Sequence, residues 1–355
     1  MRIKLEDVCK RIYAGGDVPK EKYSLEKTEK YNIPIYANAE KDSGLYGYTD
    51  EAREFDIAIT VAARGTIGFT AIRTEPFFPV VRLITVVPEL KKITPEYLYY
   101  ALKNCRPKSS GTSIPQLTVP EIKVYSFNIC TLEEQERISN ILKRIEKLIG
   151  KSEQQLQLLD TLIKARFVEM TENSTTVRVR MGDVATYTNG YAFKPIDWTT
   201  EGLPIIRIQN LNDKTAPYNH YSGTIDSKYR VCYGDILVSW ATHLEAYVWQ
   251  GGDAWLNQHI FRVIFDKMPI NKIYFVYSTE EALRQAFRNA HGFKPTMEHI
   301  KRSDFEDAVI ELPPIEVQDQ FAAFVSQIDK SKIAVQKALD EAQLLFDSLM
   351  QEYFG

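Results

Sequence analysis

Most of what would mark this sequence as secreted, membrane-bound or metal-dependent is missing from it. Its four cysteines, Cys9, Cys105, Cys130 and Cys232, lie far apart with no CxxC among them. Neither a disulfide framework nor a zinc ribbon is therefore expected, and buried thiols in a reducing cytoplasm are. The five histidines show no ligand spacing with those cysteines, so no metal site is expected either. No apolar run approaches the ~20 residues of a membrane span, the longest being cut by Arg64 and Arg82. The opening MRIKLEDVCKR carries charges where a signal peptide has its apolar core. The expectation is a cytoplasmic protein without membrane association.

Signatures of catalysis are equally scarce. There is no GxxxxGK(S/T) phosphate loop and no HExxH. The neighbours Glu133–Glu134 and Glu280–Glu281 lie on helical stretches, where adjacent residues face apart and cannot share a proton or a metal. Nor is there an excess of charge: 44 Lys/Arg stand against 47 Asp/Glu, a net of −3. The distribution is more informative. Residues 1–131 hold 19 basic and 16 acidic side chains, residues 171–300 hold 13 of each, and residues 301–355 hold 5 and 11. Any anion-binding surface must be local, and the acidic C-terminal stretch suits a protein partner better than a polyanion.

What is present is a pattern written twice. IKLEDVCKRIYAGGDVPKEKY is echoed by VRMGDVATYTNGYAFKPIDW from Val179, and YNIPIYANAE by EGLPIIRIQN. FDIAITVAARG is echoed by YGDILVSWATH, EYLYYAL by IYFVYST, and SGTSIPQLTVPEI by HGFKPTMEHIKRSDF. Each half closes on a glutamine-headed helix start, LEEQERISNILKRI and IEVQDQFAAFVSQI. Between these markers run short β-branched and aromatic segments bounded by turns, IPIYA, FDIAITVAA and VVRLITVV in one half, PIIRIQN, GDILVSW and HIFRVIF in the other. One helical patch interrupts each set, PEYLYYALKN and STEEALRQAFRNA. The expected fold class is α+β: two mostly β domains with peripheral helices, an internal tandem repeat.

The closing segments have a different period. Positions 138, 142, 145, 149, 152, 156, 159, 163, 166 and 170 are apolar except Ser152 and Arg166. Positions 321, 324, 328, 331, 335, 338, 342, 345, 349 and 352 are apolar except Ser331 and Glu352. A sustained 3.5-residue repeat predicts a coiled-coil seam, and residues 133–170 would make a rod of roughly 55 Å. A stripe of that kind needs a partner, and the economical one is its twin, running antiparallel as a two-helix spacer. Expected boundaries are 1–131 and 171–314 for the domains, 132–170 and 315–355 for the long helices. Gln135 and Gln318 are expected to cap or pack at the helix starts.

These features resemble the specificity (S) subunit of type I restriction–modification systems over essentially the whole chain. The resemblance rests on IPQLTVPEI…TLEEQ and VIELPPIEVQ approaching the glutamines, on helices ending LLDTLIKARF and LLFDSLMQEYF, and on the loop Gly111 to Gln116. It departs where TLEEQ stands for the fuller PPIEVQ, and where GFKPT answers GTSIP. What it implies is a non-catalytic reader of a bipartite, asymmetric double-stranded DNA target. Each target-recognition domain would read one half, and the helix pair would set the gap and dock two adenine methyltransferase (modification) subunits, with restriction subunits in the full complex. S-adenosylmethionine would be bound by the methyltransferase and no cofactor by this chain. The N/D-P-P-Y/F tetrapeptide of adenine methyltransferases is absent, Pro313–Pro314 lying in ELPPIE, so base flipping would fall to the partner.

Base edges are read by Arg, Lys, Asn, Gln, Ser and Thr. In the first half the candidates are Arg64 and the loop Lys108, Ser109, Ser110, Thr112, Ser113 and Gln116. In the second they are Arg207, Gln209 and Asn210, then Trp240, Thr242 and His243, then Asn257, Gln258 and His259, and finally Lys294 and Thr296. Lys20, Lys22, Lys27 and Lys30 form a basic stretch suited to phosphate. Two other classes remain open: a nuclease with an unrecognised carboxylate site, and a coiled-coil adaptor that binds only proteins.

Overall fold

The computed structural model describes all residues except 1, 20, 106–115, 214, 242–243 and 292–300, and the backbone only at 288–291. They form two compact units, one of residues 1–154 with 336–355, the other of residues 155–335.

In the first unit Arg2–Lys4 pairs antiparallel with Ser126–Asn128, bringing the two ends of the domain together. An antiparallel sheet follows in the order Cys9–Ala14, Leu83–Pro88, Ala58–Ala62, Thr70–Arg73. Ala58–Ala62 and Leu83–Pro88 are buried along their whole length, which is why their sequences read as continuous apolar runs and not as alternation. A second sheet runs Tyr23–Ser24, Leu45–Thr49, Ile33–Tyr36, Phe78–Pro79, with only the last pair parallel.

The second unit repeats this plan strand for strand. Val177–Arg180 pairs with Val309–Leu312. The antiparallel sheet is Thr186–Asn189, Ile260–Ile264, Ile236–Ser239, Glu245–Val248. The mixed sheet is Asn219–Tyr221, Leu203–Ile206, Ala254–Leu256, Arg230–Val231, and its one parallel pair, Leu203–Ile206 with Ala254–Leu256, corresponds to Ile33–Tyr36 with Phe78–Pro79 in the first unit. Single bridges complete the match: Glu54 with Phe77 stands where Arg230–Val231 pairs, and Thr199 with His220 where Tyr23–Ser24 pairs.

Two glycines allow the crossing between sheets. A Cβ on Gly15 would lie 2.2 Å from the Val80 carbonyl oxygen, and one on Gly190 would lie 2.2 Å from that of Asn257. Only a residue without a side chain lets the chain leave the first sheet this close to the second.

PEYLYYALKN forms the helix Pro95–Lys103, begun by Thr94, whose hydroxyl accepts from the Tyr97 amide, and by proline in the first turn. Its counterpart starts earlier than the sequence pattern suggests, at Lys272–His291, because Asn271 accepts from the amides of Ile273 and Tyr274. RIQN, expected to extend a strand, turns instead into the short helix Ile208–Asn212, since the Asn210 side chain accepts from the Arg207 amide.

The long helices are Leu132–Glu172 and Ile315–Phe354. In the first unit Glu146 bonds Tyr100, whose ring lies 6.3 Å from that of Phe346, while Phe354 lies 4.8 Å from the ring of Tyr97. Ile138, Leu142 and Ile145 share a core with Phe346, Met350 and Phe354. In the second unit Lys332 bonds Asp160 at 2.6 Å, and Phe167 lies 5.4 Å from Phe321. In each unit, then, the start of one helix meets the end of the other, an antiparallel pairing.

All ten expected seam positions of the first helix are buried or half-buried. The second helix corrects the expectation: Ser331, Ala338, Leu345 and Glu352 are exposed. Its buried stripe instead steps through Phe321, Val325, Ile328, Lys332, Val335, Leu339, Ala342, Phe346 and Met350. Both phases of the 3–4 alternation carry apolar residues, and the bulk of Phe346 against Tyr100 selects the second. No helix among the described residues is long and apolar enough to cross a membrane.

Candidate nucleic-acid interface

At the heads of the long helices, Gln135 and Gln318 are almost wholly buried. Gln135 Oε1 accepts from the Thr94 amide at 2.8 Å, and its Nε2 donates to the carbonyls of Lys92 and Cys130. Gln318 Oε1 accepts from the Asn271 amide at 2.9 Å, and its Nε2 donates to the Pro313 carbonyl at 2.9 Å. Each amide ties its helix to the start of the domain helix and to the strand before it. The glutamines hold the framework.

In the second unit the loops at one edge of the sheets enclose a cleft of about 790 Å³. Arg207, Gln209, Asn257 and His259, drawn from segments 50 residues apart in sequence, share its lining with Asn212, Asp213 and Thr215. Arg207 is oriented from two sides: Nη1 donates to Asn219 Oδ1 at 3.2 Å, and the guanidinium lies 5.5 Å from the centre of the Trp198 ring. The exposed Asp213 carboxylate accepts from the hydroxyl and amide of Thr215 through one oxygen, and these bonds hold its pKa below the usual range. Tyr247 donates to Asn212 Oδ1 at 2.5 Å, and burial, reinforced by Glu245, pushes its phenol pKa up. Beside the apolar Ile208, Ala216, Pro217 and Ile260, the cleft presents amide, hydroxyl, imidazole and guanidinium groups together with the Asp213 carboxylate, and the amides and the guanidinium are groups that pair with base edges.

Asn210 is a correction. Only 3 % exposed, its amide donates to the carbonyls of Ala216 and Pro217 and accepts from the Arg207 amide. It shapes the loop and presents nothing to a groove. Trp240 is half-buried, its ring packed edge-on against His259 at 5.1 Å and stacked on Phe261 at 5.8 Å. Gln258 contacts His259 through Nε2 at 3.1 Å, so the pair acts as one surface. Thr242, His243, Lys294 and Thr296 lie outside the described residues.

In the first unit Arg64 follows the strand Ala58–Ala62 in a turn whose Gly65 has φ +76. Its carbonyl accepts from Asn38 Nδ2 at 2.7 Å. The Leu117 amide donates to the Ala63 carbonyl at 2.9 Å, so the backbone next to exposed Gln116 adjoins the turn that carries Arg64. Lys108, Ser109, Ser110, Thr112 and Ser113 lie outside the described residues, as does Lys20. Lys22, Lys27 and Lys30 are exposed.

Sequence reasoning passed over Arg82. The structure sets it where His259 stands in the second unit: the Ala63 amide donates to the Arg82 carbonyl as the Trp240 amide does to that of His259. The register of the repeat could have found it, had the echo of VVRLITVV in QHIFRVIF been followed residue by residue. Among the described residues no cluster of three or more His, Cys, Asp or Glu could hold a metal ion.

A family model described as the type I restriction modification DNA specificity domain matches residues 1–160 and again residues 173–343. The chain is similar to a protein of Mycoplasma pneumoniae provisionally named as a type I specificity subunit, 33% identical over 149 residues, 42% of this chain and 40% of the relative. It is 29% identical over 168 residues to the specificity subunit of the type I restriction enzyme EcoBI of Escherichia coli, 45% of this chain and 35% of that one. These matches span about two-fifths of the relatives' length. A crystal structure of the S subunit of a type I restriction–modification system from M. genitalium shares the fold, with TM-score 0.61 at 14% identity over 100% of this chain and 96% of that one.

Proposed function

The chain belongs to the type I restriction modification DNA specificity family, and from that premise we propose that it is the DNA-reading subunit of a type I restriction–modification complex. It binds a bipartite, asymmetric duplex target, one half-site per unit, and directs adenine methyltransferase and restriction subunits to it. The observation that carries this reading is one framework built twice with different side chains at matching loop tips: Asn257, Gln258 and His259 in one unit stand where Val80, Val81 and Arg82 stand in the other. A duplicated scaffold with divergent loop tips is what two half-sites of different sequence require.

The chain itself is non-catalytic in this reading, and S-adenosylmethionine belongs to the methyltransferase. The long helices leave apolar side chains exposed in each unit, Leu158 and Ile333 (59% and 71%) in the second and Leu344 (72%) beside the acidic Asp340, Glu341 and Asp347 in the first, and each unit would dock one methyltransferase subunit. Helix length would set the gap between half-sites, the logic by which paired readers fix half-site spacing.

The test is a genome-wide map of N6-methyladenine in cells carrying the gene with its methyltransferase, against cells lacking it. A split, non-palindromic motif that disappears with the gene is the expected result. Unchanged methylation in a host that expresses the methyltransferase would overturn the reading.

A further inference from the structure

Among the described residues only four that are not glycine have positive φ, and Arg82, at +71, is the one with a long cationic side chain. Two of the others, Asp42 and Ser43, are short polar residues, the kind that tolerate this region. The turn at Arg82 is well anchored: the Leu83 amide donates to the Val80 carbonyl at 3.1 Å, and the Arg82 carbonyl accepts from the Ala63 amide at 2.9 Å. Nothing in that backbone calls for a side chain, and glycine would hold it without strain. The arginine is nonetheless exposed, and it makes none of the ion pairs found among the described residues. Strain kept under an unpaired, exposed functional group is a mark of a working site. The hydrogen bonding of the turn matches that of the one in the second unit that carries His259 into the cleft, where the Ile260 amide donates to the Asn257 carbonyl at 3.2 Å, but the positive φ belongs to Arg82 and not to His259.

We infer that Arg82 is a specificity-determining residue of the first unit, reading a guanine in the half-site that unit contacts, with Arg64 next in the chain to Ala63, whose amide bonds the Arg82 carbonyl. The inference rests on the DNA-reading function proposed above. Guanine is the base whose two major-groove acceptors fit the guanidinium fork. A phosphate contact could be made by any flexible cation on a relaxed backbone.

The experiment is selection from a random duplex pool by the full chain in complex with its methyltransferase, at one fixed salt concentration. It compares wild type, Arg82→Gly and Arg82→Lys, with thermal melts of each. Arg82→Gly should be no less stable than wild type. In both variants the preference at one G·C position of one half-site should fall roughly tenfold to hundredfold, with the other half-site unchanged. Uniform weakening on all sequences in Arg82→Gly, with full preference kept by Arg82→Lys, would make Arg82 a phosphate contact and overturn the inference. So would a lowered melting temperature in Arg82→Gly, which would make the residue structural. If wild type itself selects no motif, it is the proposed function that fails.

Discussion

The side-chain oxygen of Gln318 lies 2.9 Å from the backbone nitrogen of Asn271, the residue that starts the domain helix 47 positions earlier. Its twin Gln135 stands 2.8 Å from the nitrogen of Thr94. Helix starts leave amides unpaired, and here a buried glutamine from another helix satisfies one in each unit.

Replacing either glutamine by leucine should therefore cost more than a surface change. Gln135→Leu strands the Thr94 amide and two carbonyls, and Gln318→Leu strands the Asn271 amide and the Pro313 carbonyl. Each substitution should destabilise by about 1–3 kcal/mol. Urea denaturation should show the midpoint falling with the slope unchanged.

Gly190→Ala should disturb both stability and the cleft. The added carbon would meet the carbonyls of Asn257 and Leu256, so the strand must shift, at a cost of about 1–3 kcal/mol, and Asn257 shifts with it. Gly252→Ala, with nothing within 4 Å of the new carbon, should be nearly neutral. Melting temperatures of the pair, measured together, check the contrast.

The phase of the second long helix can be read by truncation. Phe346 is 7% exposed and packed near Tyr100, whereas Leu345 is 50% exposed. Phe346→Ala should cost about 3–5 kcal/mol and Leu345→Ala under about 1 kcal/mol. Equal losses in denaturant titrations would restore the seam expected from sequence.

Stability should fall in alkali before arginine or backbone chemistry intervenes. Burial pushes Tyr274 up to about 12, against 10 for a free phenol. Between those values the unfolded chain sheds a proton that the folded chain keeps, so the stabilisation present below pH 10 is lost as pH rises toward 12. The slope from this fully buried residue is at most ~1.4 kcal/mol per pH unit. Circular dichroism melts at pH 8 to 11.5, with phenolate absorbance followed in parallel, would show the decline; a flat profile would contradict it.

Much of the architecture was legible in the chain because it is carried by periodicity and repetition. Buried strands such as Ala58–Ala62 read as apolar runs, the first long helix showed its seam at every step, and the paired echoes announced two like domains. The matching helix starts marked Gln135 and Gln318 as capping or packing residues, and each bonds the backbone at the start of its own domain helix. Where two phases fitted equally, as at Leu345 and Phe346, the pattern could not choose, since the choice lies with Tyr100 on another element.

The candidate interface was legible only as residue types. Sequence alone determined that the chain is a duplicated α+β protein with long closing helices and with Arg, Asn and Gln in its loops, because local hydrophobic patterning and chain order are sufficient for that. Tertiary structure decided which of those side chains reach a common surface. It turned Asn210 inward, joined Arg207 to Asn257 across 50 positions, and exposed Arg82 on a strained turn. Those outcomes depend on where distant backbone segments cross and on which polar groups they leave to be satisfied, and neither is written in any short stretch of sequence.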